Sequence, residues 1–213
     1  PGRKHCGELH SVDIGIPLSV AQEVGYEATL IDEAWTSMRL EPRDADSHKG
    51  ASGKLLLLAG SHDKTGAALL AARGALASGA GLITVGTHER VVERIAPNVN
   101  EAMAAHMLAH TEDANAEERL REFIPGVDAV GIGPGIGTSD GTLWALRAVA
   151  DSDVDNIVID ADGLTVIAHH FDHDDLAEAA EGRTVVLTPH PGEMARLRGE
   201  SIADVLSRPV AAT

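Results

Sequence analysis

Aromatic rings are almost absent: the 213 residues include two Trp, one Tyr and two Phe. A core of this chain must therefore be filled by Ala, Leu, Val and Ile, within a 44% hydrophobic content that suits a soluble globular domain. Lysine is nearly as scarce, 4 residues against 13 arginines. Set against 33 Asp and Glu, this leaves a net charge of −16. Nucleic acid is disfavoured as a partner, because the chain would meet phosphates with its own repulsion. A high-salt cytoplasm tolerates such a surface, since salt screens the self-repulsion; an acidic mesophilic protein fits the same numbers. The single cysteine, Cys6, excludes an internal disulfide framework and suits a reducing, cytoplasmic setting. No apolar run approaches the roughly 18 residues of a membrane span, so no membrane partner is expected. The opening "PGRKHCGELH" has neither Met nor a signal-peptide apolar run and reads as the middle of a longer chain.

What is present is a regular alternation. "KLLLLAG" from Lys54 is an apolar run closed by Gly60, the pattern of a strand buried on both faces. The Ala-rich "TGAALLAARGALASGAG" favours a helix with glycine at its end. Further strands are predicted in "LITVGT", "VDAVGIG", "NIVIDAD" and "TVVLTP". Helices are predicted in "HERVVERIA", "EDANAEERLREF", "SDGTLWALRAVAD", "GLTVIAHH" and "GEMARLRG", with a short one near Ile31–Leu40. Residues 1–18 end in the alternating "SVDIGIPL", and 19–45 are a polar linker. Strand–helix alternation from 54 to 199 predicts an α/β fold with a mainly parallel sheet and helices on both faces.

Ligands of such sheets bind at the carboxyl ends of the strands. The segments that follow the strands are "AGSHDKTGAA", "GIGPGIGTSD", "DADGL" and "TPHPGE", all polar or glycine-rich and all placed at one edge. In the second, Gly133-Pro134-Gly135 offers backbone with no side chain in the way of a phosphate or ribose. The dinucleotide fingerprint G-x-G-x-x-G does not fit it, since position 136 is Ile. "HKGASGK" fails as a phosphate loop, because Lys54 is followed by Leu55. Ser61, His62 and Asp63 are adjacent and cannot converge as a triad. Asp160 and Asp162 are secondary candidates for binding a metal or hydroxyl, with Asp162 also expected to cap a helix. The acidic "HHFDHDD" reads as a solvated turn rather than a metal site. Cys6, His5 and His10 lack the second half of a zinc site.

Taken in order, "SHKGASGKLLLLAGSHDKTGAALLAARGALASGAGLITVGT", "VGIGPGIGT", "VIDADGL" and "VVLTPHPGEMARL" resemble the NAD(P)H-hydrate dehydratases of the ribokinase-like superfamily over about residues 46–199. "PGRKHCGELHSVDIGIP" is similar to the last strand of the epimerase domain that precedes the dehydratase in bifunctional repair enzymes. The resemblance implies a three-layer ribokinase-like fold, with 1–18 an epimerase remnant and 46–213 the N-terminal part of a dehydratase domain. It implies a lyase that restores hydrated NADH and NADPH, using ADP or ATP with Mg2+ to turn the ring hydroxyl into a phosphate leaving group. ADP is favoured as the donor by similarity to bacterial and archaeal bifunctional members. Ala67, Gly135 and His190 match positions that contact the hydrated cofactor. Glu193 matches the superfamily glutamate that organises magnesium and phosphates, with His190 in place of its Asn. Family members are often homo-oligomers, and the acidic surface marks no interface. The catalytic Asp of a G-x-G-D motif is expected beyond Thr213, so the 213 residues alone are expected to be inactive. Two other functions compete: a small-molecule kinase of the same fold, which would carry Asn at 190, and a noncatalytic nucleotide-binding module.

Overall fold

The computed structural model describes residues 5–8, 10, 12–25, 31–40, 49–111 and 113–208. The chain divides into two compact units, Pro1–Pro42 with Thr213, and Arg43–Ala212. The expected boundary between linker and dehydratase part, at 45/46, lies outside the described residues. In the first unit, α1 spans Leu18–Val24 and α2 spans Glu33–Ser37. Asp32 caps α2 by accepting from the Trp35 N–H at 2.7 Å, and the Arg39 guanidinium lies 3.6 Å over the Trp35 ring. Residues 12–17, expected as a strand, are not in one: a strand needs a partner to pair with, and none is present in this unit among the described residues.

The second unit is built on six strands: β1 (Lys54–Leu58), β2 (Leu82–His88), β3 (Met103–Leu108), β4 (Ala129–Ile132), β5 (Asn156–Ile159) and β6 (Thr184–Leu187). All pair in parallel, in the order β3-β2-β1-β4-β5-β6. The helices between them are α3 (Thr65–Ala77), α4 (Glu89–Ile95), α5 (Ala114–Phe123), α6 (Asp140–Ala150), α7 (Ala161–His170), α8 (His173–Ala180), α9 (Pro191–Arg198) and α10 (Ile202–Ser207).

The pleat of β1 explains its continuous apolar sequence. Leu56 and Leu58 point into a core with Val130, Ile132, Leu146, Val149 and Leu164, under α6 and α7. Leu57 points the other way, into a core with Ala68, Ala72, Val85, Val91 and Ile95, under α3 and α4. Both faces of the sheet are thus covered by helices, in the three layers the resemblance implied. Ala68 and Ala72 are fully buried, and their small size lets α3 lie close to the sheet.

Four elements were not foreseen. β3, "MAAHML", is an edge strand made of residues that favour helices, drawn into the sheet by pairing with β2. The "HHFDHDD" segment is not a turn: Asp172 accepts from the Asp174 and Asp175 N–H groups, and Asp175 reaches back to the Asp172 N–H, a capping box that starts α8. α1 and α10 are the other two.

The strand order reverses direction between β1 and β4. At such a switch point the loops leave in opposite directions and open a crevice at the carboxyl edge. Residues 59–64 and 133–139 leave the sheet there.

Candidate functional site

The crevice is built by close backbone approach. Gly133 donates to the Leu58 carbonyl at 3.1 Å, and Gly60 donates to the Pro134 carbonyl at 2.9 Å, so the loops after β1 and β4 are stitched together. Gly133 has φ +127, and a Cβ there would fall 1.8 Å from the Asp160 carbonyl oxygen. Gly135 has φ +64, and a Cβ there would meet the Ala67 methyl at 2.8 Å. Gly135 and Ala67, both singled out from the sequence, lie side by side, and an approach this close needs a small residue at each position.

The two aspartates of "DADGL" do different work. Asp160 accepts from the Thr188 hydroxyl at 2.8 Å, tying the end of β6 to the end of β5. Asp162 does not cap α7, because Asp160 holds the N-cap position. The Asp162 carboxylate lies 2.8 Å from Lys64 Nζ and accepts from the Gly137 N–H at 2.9 Å. One carboxylate thus holds the glycine loop against the start of α3. Between the aspartates, Ala161 takes φ +48, the sole positive φ at a non-glycine among the described residues. Such backbone is strained for a residue with a Cβ.

His190 is the N-cap of α9. Its Nδ1 accepts from the Gly192 and Glu193 N–H groups at 3.0 and 3.2 Å. That fixes the tautomer, with the ring proton on Nε2, which faces Glu193 Oε1 at 3.2 Å. Glu193 Oε2 accepts from the His190 N–H at 2.8 Å, completing a capping box. Pro191 at the first helical position loses no hydrogen bond, and Gly199 ends the helix at φ +65. The His190 ring is still two-thirds exposed, while Glu193 is buried. His190 and Glu193 stand on the same edge as the Ala67–Gly135 wall, reached through Thr188, Asp160 and Gly133 rather than by direct contact with it.

Lys64, Gly137 and Thr188 were not singled out from the sequence. All three lie inside quoted motifs, but only folding shows what they bind. A group of histidines was also missed. His88, at the end of β2, is buried and stacks on His110 with centroids 4.3 Å apart and planes at 21°. Burial first, then the charge of His110, lowers the His88 pKa from its ordinary value, against a hydrogen bond with the Ile136 backbone. Nearby, His62 Nδ1 lies 3.0 Å from Asp63 Oδ1, and this bond holds the exposed Asp63 carboxyl below its usual pKa.

An open parallel sheet with helices on both faces places the chain in the α/β class. A ribokinase-like superfamily protein of Enterococcus faecalis, 24% identical, shares this fold over 76% of this chain and 54% of its own, with a TM-score of 0.62. Residues 55–211 match the family model of the NAD(P)H-hydrate dehydratases, and the chain belongs to that family. It is 34% identical over 208 residues to a bifunctional NAD(P)H-hydrate repair enzyme of Moorella thermoacetica, covering 96% of this chain and 38% of that one. It is 38% identical over 167 residues to the ADP-dependent (S)-NAD(P)H-hydrate dehydratase of Bacillus subtilis, covering 78% and 54%. A crystal structure of the Bacillus subtilis ADP/ATP-dependent NAD(P)H-hydrate dehydratase, co-crystallised with ATP and Mg2+, aligns with a TM-score of 0.64 at 32% identity, over 84% of this chain and 58% of that one. The chain thus spans between about two fifths and three fifths of the lengths of these relatives. No helix among the described residues is long and apolar enough to cross a membrane.

Proposed function

We propose that this chain supplies the hydrated-cofactor wall of a nucleotide-dependent dehydratase acting on hydrated NADH and NADPH, with ADP as the favoured donor and Mg2+ as its metal. The observation that carries the reading is the paired approach of Ala67 and Gly135 at the switch point, beside a glycine loop held open by Asp162. Such a wall admits a ligand's bulky ring where any larger side chain would fill the space. In the wider protein the expected setting is cytoplasmic, with an epimerase activity alongside and oligomers as in its relatives.

The nucleotide supplies a phosphoryl group that converts a poor leaving group, hydroxide, into a good one. The residues present hold and orient. Gly133 and Gly135 offer backbone to the ring and its ribose. His190, with Nδ1 committed to the cap and Nε2 facing Glu193, presents the exposed part of its ring face. Glu193 lies one helical turn away, and its carboxylate is engaged by the His190 N–H and ring. Among the described residues no three His, Cys, Asp or Glu come together as a metal cage. Magnesium would accordingly keep waters and phosphate oxygens as its main ligands, as this ion commonly does, with Glu193 ordering that water.

The test uses the full-length protein that contains this chain. Recovery of the dihydropyridine absorbance from hydrated NADH, dependent on ADP or ATP, is the expected result; no recovery, with phosphorylation of a vitamin or sugar instead, favours the kinase. His190→Asn separates cap from contact. Asn caps helices well, so stability should change by less than about 1 kcal/mol. KM for the hydrated cofactor should rise roughly tenfold if the imidazole touches it. An unchanged KM removes His190 from the binding wall.

A further inference from the structure

A second concavity lies on the same carboxyl edge, over β2 and β3, with a volume of about 350 Å3. Its lining brings together His62, His88, His106 and His110 with Arg90 and Asp113. It adjoins the crevice at two points. His62 sits in the loop after β1, two residues before Lys64, and the His88 ring meets the backbone of Ile136, the residue after Gly135. The size is within the range of small-molecule pockets, roughly 300–1,000 Å3.

The chemistry of this lining is unusual for the molecule. In a chain with 2% aromatics, two imidazoles are stacked nearly parallel and form a flat platform whose outer member, His110, is exposed. Beneath it the His88 Nε2 is buried and has no hydrogen-bond partner among the described residues. A buried imidazole nitrogen of that kind is normally paired, and here it stays unpaired next to the exposed His110 ring in the lining of the concavity. His106 and Asp113, 3.6 Å apart, add further polar atoms at the wall. A metal ion does not explain the cluster, because no three of these groups converge to coordinating positions among the described residues. What fits is a flat, nitrogen-rich ring that stacks on one face and exchanges hydrogen bonds at its edge.

We infer that this concavity is the subsite for the adenine end of the hydrated dinucleotide, with the purine stacked against the His88–His110 pair and Arg90 placed for its sugar phosphate. The inference rests on the dehydratase reading for the identity of the ligand. A dinucleotide has two ring systems joined by a flexible pyrophosphate, and the crevice wall and this neighbouring concavity each take one. The reacting nicotinamide ring lies at the Ala67–Gly135 wall, and the adenine serves as a handle that raises affinity without touching the chemistry.

The experiment compares hydrated NADH with hydrated reduced nicotinamide mononucleotide, which lacks the adenylate half, using the full-length protein. His110→Ala should raise KM for hydrated NADH by roughly fivefold or more, the worth of one lost base stack. It should leave kcat, and KM for the mononucleotide, within about twofold. His110→Phe, which keeps a flat ring, should restore KM for hydrated NADH. Equal effects on both substrates, no effect on either, or failure of His110→Phe to rescue would each overturn the subsite. If the wild type turns over neither hydrate, the dehydratase reading fails by itself. The subsite is then decided by titrating NADH and reduced mononucleotide while following the histidine ring signals by NMR. Shifts of His88 and His110 confined to NADH support it, and equal shifts or none overturn it.

Discussion

One row of residues crosses the sheet in register: Leu58 on β1, Ile132 on β4, Ile159 on β5 and Leu187 on β6. All four are large and aliphatic, and each is the last residue of its strand. Their exposures are 0%, 0%, 8% and 38%. Chemistry does not separate them; position does. At the centre, helices cover both faces and strands flank both sides. At β6 no strand pairs on the outer side among the described residues, and Val186 is exposed as well, at 44%. The open side of β6 leads directly into Thr188 and His190, whereas the covered centre leads into Gly133 and the close-packed wall. An apolar run therefore announces a strand without announcing how much of its surface the fold uses.

Three changes probe that gradient, from the largest expected effect to the smallest. Gly133→Ala, one residue beyond the centre of the row, forces a Cβ into the Asp160 carbonyl oxygen at a backbone angle alanine avoids. It should destabilise by about 3 kcal/mol or more in urea unfolding. If it is tolerated, the loop is looser than its contacts imply. Leu58→Ala should cost about 2–5 kcal/mol as a fully enclosed cavity, and Leu187→Ala about 1 kcal/mol or less. Similar losses for the two would mean that β6 is covered in solution.

The smallest effect lies at the end of β2, outside the row. The pKa of His88 is lowered on folding. Below the ordinary value of 6.5 the unfolded chain takes up the proton before the folded chain does. Its contribution is full above that pH and is lost as pH falls from there through the folded value. In His88→Gln, the decline of unfolding free energy between about pH 7 and pH 5 should be shallower than in the wild type. An identical slope would show that the His88 imidazole is solvated rather than buried.

Much of this was legible in the sequence, for stateable reasons. β1, β4, β5 and β6 announce themselves as short apolar runs that end in glycine, proline or polar residues, and β1 is apolar from Leu55 to Leu58 because both of its faces are covered. The glycines at 133 and 135 were legible because positive φ and close approach leave few alternatives. β3 was not: "MAAHML" carries helix formers, and only the neighbouring β2 ladder makes it a strand. Without β3 the histidine group could not be seen, since His106 and His110 are carried there by that strand. The capping box of α8 was written as Asp172-x-x-Asp175 but masked by the acidic composition around it. Asp162 was expected to cap a helix and instead holds Lys64 and Gly137, partners that have no local signature. For the candidate site, the motifs read from the sequence do lie at the carboxyl edge of the sheet, and the links between them came only with the third dimension.

That Lys64–Asp162 contact spans 98 positions of chain. Long loops close late, because their entropy must be met before the contact returns anything. On the ribosome, β1, the start of α3 and the glycine loop all emerge before Asp162 does. Until it arrives, Gly137 and Lys64 lack the carboxylate that joins them, however well β1, β2 and β4 have already paired. The order of synthesis therefore makes the crevice one of the last parts of the domain to take its working shape. Slowing translation between α6 and α7 should prolong a state with a formed sheet and an untethered glycine loop.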